Sequence, residues 1–477
     1  LYYVKIHSEA LPPGRAQNAF GSMPVGRKQV WRGPGVSFLE VFMEKQGTAK
    51  TFARYVSLNV AAMIGLSCYI LADTFFISAS MGADGLAALN LAIPIYSFVN
   101  GTGLMIGMGG ATRYAICRAQ GDERESNRIF THSVILGLAC GMIFLLIGLL
   151  FARPLSRMLG GEGQILDMTA TYLRTLLVFA PMFILNNTLV AFVRNDGWPN
   201  YSMAAMLLGS GFNIVMDYVL VFPCNMGIFG AALATGLSPV VSMLFLALTV
   251  LGKKRKFRLA RTSWYWNRAC QIAALGLSSL ITEVSAGIVM IVFNLVILRL
   301  KGSLGVAAYG IIANLALVGT SVFTGVGQGS QPVVSTGYGK GNHAGVRLVL
   351  KMAAVTALGL ALLLNLAVWL FPEQIVAVFN GEGDQALAQL ALRGLPIYFA
   401  GFFLAGMNIV LAAILSAVEK PGSAFLVAIL RGGAASLPLL FLLSAFWGMD
   451  GVWLSFPAAE LVTFGAALWS VKKSGWM

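Results

Sequence analysis

Three carboxylates lie within apolar stretches that are long enough to cross a membrane. Asp73 occurs in CYILADTFFIS, Asp217 in YSMAAMLLGSGFNIVMDYVLVF and Glu283 in LSSLITEVSAGIVMIVFN. About 20 apolar residues suffice for a transmembrane helix, and a carboxylate near its centre costs about 2.5–3.5 kcal/mol on insertion scales. We therefore interpret these residues as functional groups that face protein or water rather than lipid.

Side-chain amides and one hydroxyl occur in the same stretches. Asn213 lies four residues before Asp217 and therefore on the same helical face. Two carboxylates with nearby amide and hydroxyl oxygens suit a proton, a hard monovalent cation, or both. Close packing of like charges also favours protonation of one of them. The other candidates are Asn186, Asn187, Thr235 and Asn294.

The composition excludes a water-soluble protein. The chain has 477 residues, of which 57% are hydrophobic and only 11% are charged, with a mean hydropathy of +0.78. A soluble domain carries about 25% charged residues. The net charge of +14 resides largely in short loops between apolar segments, where Lys and Arg set membrane orientation, so we expect no nucleic-acid partner.

Enzymatic and cofactor motifs are absent from the sequence. The five cysteines show neither a disulfide framework nor a zinc spacing, and the three histidines show no metal-binding spacing. There is no Walker A motif, and no nucleophile–base pair is apparent. We expect no catalytic residues and no bound cofactor, and thus a protein that is not an enzyme.

Twelve apolar segments are predicted to span the membrane. The loops that follow even-numbered spans are the richer in Lys and Arg, which places both termini in the cytoplasm. Residues 1–42 are rich in Pro, Gly and basic residues, and we expect a disordered or artefactual extension, because Met43 is typical of a natural start. The predicted spans are 52–80, 85–110, 127–151, 168–193, 200–223, 228–252, 269–300, 304–330, 344–371, 386–417, 421–446 and 449–471.

The two halves of the chain repeat one another. The segment starting at Gly82 (GADGLAA) matches that starting at Gly302 (GSLGVAA), 220 residues later. Residues 120–122 and 161–163 match 340–342 and 381–383 at the same offset. This predicts an all-α membrane protein with two six-helix lobes related by a pseudo-two-fold axis along the membrane normal. We expect the N-lobe at 43–252, a basic cytoplasmic linker at 253–268 and the C-lobe at 269–477.

The repeat is chemically asymmetric. Phe293 occupies the position equivalent to Asp73, and the span that matches Asp217 carries no carboxylate. The sequence therefore predicts an ion site in the N-lobe that the C-lobe lacks in that form. A Na⁺ ion there would be held by Asp73, Asn213 and Asp217, and a proton would reside on the two carboxylates.

Residues 50–471 resemble the MATE (multidrug and toxic compound extrusion) transporters, and within them the DinF-like bacterial branch. The resemblance rests on the span 1 aspartate in LADTFFIS, the Asn-x-x-x-Asp pattern of span 5, the six-plus-six repeat and the sequence GQGSQP at the end of span 8. It implies a cation-coupled antiporter that exports lipophilic, cationic drugs by alternating access. Such a protein would be a multi-pass protein of a bacterial cell membrane and would function as a monomer.

The resemblance also assigns site residues. The cation site of DinF-like members corresponds to Asp73, Asn187, Asn213, Asp217 and Thr235, with H⁺ or Na⁺ as the coupling ion. Glu283 matches an acidic position of other MATE branches, and with Asn294 it is a candidate for cavity or coupling roles in the C-lobe. The acid that those branches carry in span 10 is missing from LRGLPIYFAGFFLAGMNIV.

A lipid-linked oligosaccharide or polysaccharide flippase of related architecture is the alternative. Its cavity would need several Arg or Lys residues inside the spans to bind a pyrophosphate group. The predicted spans contain few such residues, which favours the antiporter.

Overall fold

The chain is helical throughout almost all of the part that the computed structural model describes, which is residues 38–248, 255–379 and 384–473. Residues 1–37 of the predicted extension, 253–254 of the linker and 381–383 of the repeat lie outside the described residues. The helices are α1 (Phe38–Ala119), α2 (Glu123–Met158), α3 (Gly163–Val178), α4 (Ala180–Asn195), α5 (Pro199–Val221), α6 (Gly227–Leu246), α7 (Trp266–Gly339), α8 (His343–Leu370), α9 (Pro372–Phe379), α10 (Gln385–Ala400), α11 (Phe402–Ala417), α12 (Pro421–Ile429), a π-helical turn (Leu430–Ala434) and α13 (Ser436–Lys473).

Two of these helices each contain two spans joined at a glycine. α1 and α7 are 82 and 74 residues long, or roughly 110–125 Å at 1.5 Å per residue, whereas the hydrocarbon core is about 30 Å thick. Gly82 interrupts α1 with φ +62° and Gly302 interrupts α7 with φ +64°. Glycine adopts this left-handed conformation without the steric cost of a Cβ atom. α1 therefore supplies spans 1 and 2, and α7 supplies spans 7 and 8.

The remaining spans bring the number to the predicted twelve. In the described part of the chain, ten helical units are long and apolar enough to cross a membrane when the bent pairs α3–α4 and α10–α11, which bend by 48° and 43°, each count as one. Two of the ten, Trp266–Gly339 and Pro421–Lys473, are too long for one crossing and divide at Gly302 and Gly448. The predicted all-α fold with twelve spans is confirmed.

The same backbone features recur in both halves. Gly121 and Gly341 have φ of +84° and +69° and follow spans 2 and 8. Asp122 and Asn342 come next, and each side chain caps the following helix by accepting from the N–H group three residues later. A further pair with positive φ is Gly227 and Gly448. The two halves thus use matching turns to build two similar six-span units.

Two hydrophobic cores correspond to the two lobes. One consists of buried side chains between residues 77 and 272 and includes the fully buried rings of Tyr114, Phe192 and Phe257. The other lies between residues 293 and 471 and includes Trp453. Phe52 and Val56 at the start of span 1 pack into this second core, so the first turns of the N-lobe are anchored on the C-lobe.

The lobes approach each other closely at the end that carries the turns after even-numbered spans. A Cβ atom on Gly325 of span 8 would lie 2.7 Å from the Cα atom of Val60 in span 1. Gly276 of span 7 similarly rests against the backbone carbonyl of Met105 in span 2. Only glycine permits such backbone contact between helices.

The segment 255–265, which is part of the predicted linker, forms a strap attached to the N-lobe by hydrogen bonds. Its backbone N–H groups donate to N-lobe side chains at 2.7–3.2 Å. Phe257 is fully buried and packs against Phe130. The pairs are Lys256 with Asp196, Arg258 with Asn127, Ala260 with Thr131, and Tyr265 with His132. The strap therefore runs along the N-lobe up to the first residue of α7.

Candidate functional site

The N-lobe brings Asp73 and Asp217 into direct contact. Asp217 is fully buried and Asp73 is 7% exposed. Their carboxyl groups lie within hydrogen-bond distance of each other. In the described part of the chain, the Oδ1 atom of each has no hydrogen-bond partner. Two neighbouring buried carboxylates repel each other when both are ionised, which favours protonation of one of them.

Asn213 joins the pair from the helical turn before Asp217. When its amide is oriented to satisfy both ends, Nδ2 donates to Asp217 Oδ2 at 3.0 Å and Oδ1 accepts from the Thr235 N–H at 3.2 Å. In the opposite orientation, Nδ2 donates to Thr235 Oγ1 at 3.3 Å. Either way, α5 and α6 are connected at the carboxyl pair. Four of the five predicted site residues thus come together: Asp73, Asn213, Asp217 and Thr235.

Tyr172 also belongs to this cluster, and the sequence analysis did not include it. It is a buried residue of α3 that lies near Thr235 and near both aspartates. An isolated tyrosine in an apolar span is an ordinary core residue, so its sequence context contains no signal for this position. Its contact with Thr235 closes the site on the side of span 4.

Asn187, the fifth predicted site residue, has its side-chain hydrogen bond with Asn100. Its Nδ2 donates to Asn100 Oδ1 at 2.9 Å, and Asn100 Nδ2 donates in turn to Glu283 Oε2 at 3.1 Å. The half-buried chain Asn187–Asn100–Glu283 connects spans 4, 2 and 7, and so crosses from the N-lobe to the C-lobe. Glu283 therefore lies at the interface between the lobes. Asn294 is half-buried further along span 7 and is not a member of this chain.

The C-lobe contains an aromatic packing contact where the N-lobe has its carboxyl pair. Phe293, equivalent to Asp73, is 2% exposed and stacks on Tyr309 with ring centroids 5.5 Å apart. This ring is part of the C-lobe hydrophobic core. The equivalent positions thus have a titratable group in one lobe and a packing group in the other.

A second buried charge cluster lies elsewhere in the C-lobe, and the sequence analysis overlooked it. Glu460 of span 12 is 2% exposed, and its Oε1 accepts from Arg431 Nε at 2.8 Å. Asn408 Nδ2 donates to Glu460 Oε2 at 2.7 Å. Arg431 lies in the π-helical turn, a feature often found at functional positions. Arg431 and Glu460 both fall inside predicted spans, and this position of two charged residues is the sequence feature that could have indicated the cluster.

Polar contacts connect the lobes at the end where their backbones meet. Arg194 of α4 is 2% exposed, and its Nη1 donates to Asn59 Oδ1 at 2.7 Å and to Gln328 Oε1 at 3.2 Å. Asn59 Nδ2 donates to the Gly325 carbonyl at 3.1 Å. We refer to Asn59, Arg194 and Gln328 as the interlobe clasp. The clasp joins spans 1 and 4 of the N-lobe to span 8 of the C-lobe.

The sequence matches the MatE family model over residues 60–219 and 279–442. These two matched segments fall in the N-lobe and the C-lobe respectively, and together they cover more than half of the chain. The chain belongs to the MATE family of transporters. The expectation of a multi-pass membrane transporter rather than an enzyme is thereby confirmed.

Relatives in this MATE family are similar to the chain along most of its length. The multidrug export protein MepA of Staphylococcus aureus (strain N315) is 27% identical over 425 residues, which is 87% of this chain and 92% of MepA. The MepA protein of Staphylococcus saprophyticus is 26% identical over 428 residues, with 88% and 93% covered.

Solved structures of MATE transporters share the fold. The outward-facing structure of a multidrug resistance MATE transporter of the MOP superfamily superposes with a TM-score of 0.84 at 23% identity, covering 89% of this chain and 96% of that one. A mutant of the Vibrio cholerae MATE transporter VcmN gives a TM-score of 0.83 at 18% identity, with 91% and 98% covered. The twelve-span, two-lobe architecture of this chain is therefore that of MATE proteins.

Proposed function

We propose that this protein is a cation-coupled antiporter that exports small lipophilic, cationic drugs from a bacterial cell. The Asp73–Asp217 contact is the observation that carries the coupling part of this proposal. A buried carboxyl pair changes its charge when it gains or loses a cation, and its energy inside a low-dielectric lobe depends strongly on that charge. The drug substrates follow from the similarity to the multidrug export protein MepA.

The proton is the coupling ion that best suits the pair. The two carboxyl groups lie within hydrogen-bond distance of each other, an arrangement that suits one shared proton. A Na⁺ ion would fit the same donor set of carboxylate and amide oxygens, but it would have to separate the two aspartates. Asp73, Asn213, Asp217 and Thr235 are the residues that would hold either ion.

Alternating access is supported by the way the lobes are joined. The clasp and the glycine contacts lie at the end that carries the turns after even-numbered spans. Basic residues in those loops favour a cytoplasmic position for this end, so the conformation described is closed on the cytoplasmic side. Opening this end requires the clasp to separate, and rocking of two similar lobes provides such a motion.

Coupling then follows from reciprocal binding. A proton that neutralises the pair changes the packing of spans 1, 5 and 6 and lowers the affinity for the drug. By linkage, the drug weakens proton binding by the same factor. Glu283 would attract a cationic drug at the interface between the lobes. Since both lobes belong to one chain, a monomer is sufficient for this cycle.

The flippase alternative is disfavoured by the arginine contacts. Arg194 is engaged by Asn59 and Gln328, and Arg431 by Glu460. Both of these guanidinium groups have partners, and a pyrophosphate group would have to displace these contacts.

Efflux in proteoliposomes under separate pH and Na⁺ gradients would test the proposal. We expect a fluorescent cationic dye to be exported under the pH gradient alone. Asp217→Asn should reduce that export to the rate without a gradient. Asp167→Asn is the matched control, because Asp167 pairs with Arg153 on the surface at 65% side-chain exposure. Export driven only by the Na⁺ gradient would identify Na⁺, rather than the proton, as the coupling ion. Unchanged export by Asp217→Asn would exclude a coupling role for Asp217.

A further inference from the structure

A cavity of about 560 Å³ lies between the strap, α2 and the start of α7. Neither member of the carboxyl pair lines it. Its lining combines guanidinium and hydroxyl groups. The lining residues are Arg128, Arg261, Thr262, Ser263, Tyr265 and Arg268.

The shape of this cavity is set by hydrogen bonds on both sides of a short arch. The Ala260 N–H donates to Thr131 Oγ1 at 2.9 Å, and the Tyr265 N–H donates to His132 Nε2 at 3.2 Å. Residues 261–263 form the arch between these two points. Trp264 stacks on the His132 ring at 5.3 Å. The arch therefore presents Arg261 from a backbone that is held in place.

The charge of the cavity is positive. Arg268 is fixed by Glu125 through Nε–Oε1 at 2.6 Å and Nη2–Oε2 at 2.9 Å, and its Nη1 has no partner within the described residues. Arg128 is 3.7 Å from the same carboxylate. Glu125 thus faces two guanidinium groups, while Arg261 is exposed and enters no ion pair in the described part of the chain. Guanidinium and hydroxyl donors in one cavity match the oxygens of a phosphate group.

The surrounding aromatic residues place the cavity at the membrane surface. Trp264 and Trp266 are 38% and 71% exposed, and α7 enters the membrane from Trp266. Exposed Trp residues at the end of a span are typical of the interfacial region where lipid head groups lie. Basic pockets at this depth bind anionic head groups.

A second, smaller cavity at the same end of the molecule has a similar composition. It measures about 380 Å³ and includes Lys420, Ser423 and Lys473 in its lining. Lys473 lies over the exposed ring of Trp469 at 4.8 Å. Basic and aromatic groups thus recur together on this face, although only the first cavity contains arginines.

We propose that the cavity formed by the strap, α2 and α7 binds the phosphate head group of an anionic phospholipid. Arg261 and Arg128 contact the phosphate, Arg268 contributes its positive charge to the cavity, and the exposed tryptophans lie beside the acyl chains. The lipid connects the strap, which bridges the lobes, to the membrane surface. The binding site therefore depends on the strap remaining attached to the N-lobe.

Native mass spectrometry of the delipidated full-length protein tests this by counting bound lipids. Phosphatidylglycerol is the probe, and zwitterionic phosphatidylcholine and inorganic phosphate are the comparisons. We expect one tightly bound phosphatidylglycerol, and Arg261→Ala should weaken its binding about fivefold, since a basic residue near anionic lipid contributes about 1 kcal/mol. Arg258→Ala is the matched control, because it removes an exposed charge from the same strap outside the cavity.

Three outcomes would overturn the proposal. One is equal weakening by Arg258→Ala and Arg261→Ala, which would indicate general surface attraction. Another is equal binding of phosphatidylcholine. A third is displacement of phosphatidylglycerol by an equal concentration of inorganic phosphate, which would assign the cavity to a soluble anion. If Arg261→Ala expresses poorly, Arg128→Ala serves as the second variant and should weaken phosphatidylglycerol binding to a similar degree.

Discussion

Asp73 and Phe293 occupy equivalent positions in the two lobes, 220 residues apart, yet one contacts Asp217 and the other stacks on Tyr309. A buried charge needs a partner or an ion, whereas a buried ring is stabilised by packing alone. The two lobes therefore share a fold but differ in what each can contribute to transport. Substitutions at the two positions are therefore expected to have different effects.

Substitution of Asp73 should affect coupling, and substitution of Phe293 should affect stability. Asp73→Asn removes the titratable group but keeps its size, so we expect normal insertion and loss of dye export driven by a pH gradient. Phe293→Ala leaves a cavity in the C-lobe core and should lower the free energy of unfolding by about 3–5 kcal/mol. Thermal unfolding and export per inserted molecule, measured on both variants, check this. Loss of coupling in Phe293→Ala at normal stability would contradict the assignment.

Removal of one member of the Arg431–Glu460 pair should be strongly destabilising. Glu460→Gln leaves a buried guanidinium without its carboxylate, and breaking such a pair costs about 3–5 kcal/mol. The double variant Arg431→Met, Glu460→Leu removes both charges, and such replacements are often neutral, so it should regain most of the stability. The stabilities of the parent, Glu460→Gln and the double variant are compared by thermal unfolding in detergent followed by size-exclusion chromatography. A double variant as unstable as Glu460→Gln would show that the site requires charge.

Arg194→Ala should favour opening of the lobes at the clasp. The substitution removes donors to Asn59 and Gln328, and loss of each buried hydrogen bond costs about 1–3 kcal/mol. Spin labels at the exposed positions Glu123 and Lys340, in a cysteine-free background, report the distance between the lobes at this end. We expect a longer and broader distance distribution than in the parent. Arg157→Ala, which removes an exposed arginine from the other end of α2, should leave the distribution unchanged.

Replacement of Asp196 by alanine, which removes both carboxylate oxygens, should detach the strap from the N-lobe. Asp196 Oδ1 accepts from the Tyr114 hydroxyl at 2.6 Å, and Oδ2 accepts from the Lys256 N–H at 2.7 Å. Asp196→Ala leaves both donors without a partner, at a cost of about 1–3 kcal/mol each. Asp196→Asn retains an acceptor for Lys256. We therefore expect trypsin to cleave after Lys256 or Arg258 much faster in the Ala variant than in the Asn variant. Equal rates would show that other contacts hold the strap.

The ionisation of Asp196 also gives a pH dependence. Burial raises the pKa of Asp196 above its usual range, and the hydrogen bonds from Tyr114 and the Lys256 N–H oppose this rise. Because the pKa of Asp196 is higher in the folded protein than in the unfolded chain, its protonated form stabilises the folded state. This stabilisation is complete below the unfolded-state pKa of about 3.9 and decreases as the pH rises through the folded-state pKa. The free energy of unfolding of the parent minus that of Asp196→Asn should therefore decrease from pH 4 to pH 7. An increase over this interval would contradict this sign.

The architecture could be predicted from the sequence because its determinants are local or periodic. Apolar length sets the number of spans, and matching glycines in the two halves specify where helices break. Asp73 and Asp217 could also be singled out, since an ionisable side chain in an apolar span is rare and expensive. The neighbouring Asn213 followed from helical spacing alone.

Only the tertiary structure decided which polar groups contact one another. Asn187 donates to Asn100, which donates in turn to Glu283, and neither Tyr172 nor the Arg431–Glu460 pair follows from spacing along the chain. These contacts join residues from different helices, so they depend on the rotation and bend of each helix, which composition does not specify. The same holds for the strap, whose basic sequence indicates a cytoplasmic loop but not its backbone hydrogen bonds. The sequence thus determines which membrane spans carry charged residues, and the packing of the helices determines which partners those residues contact.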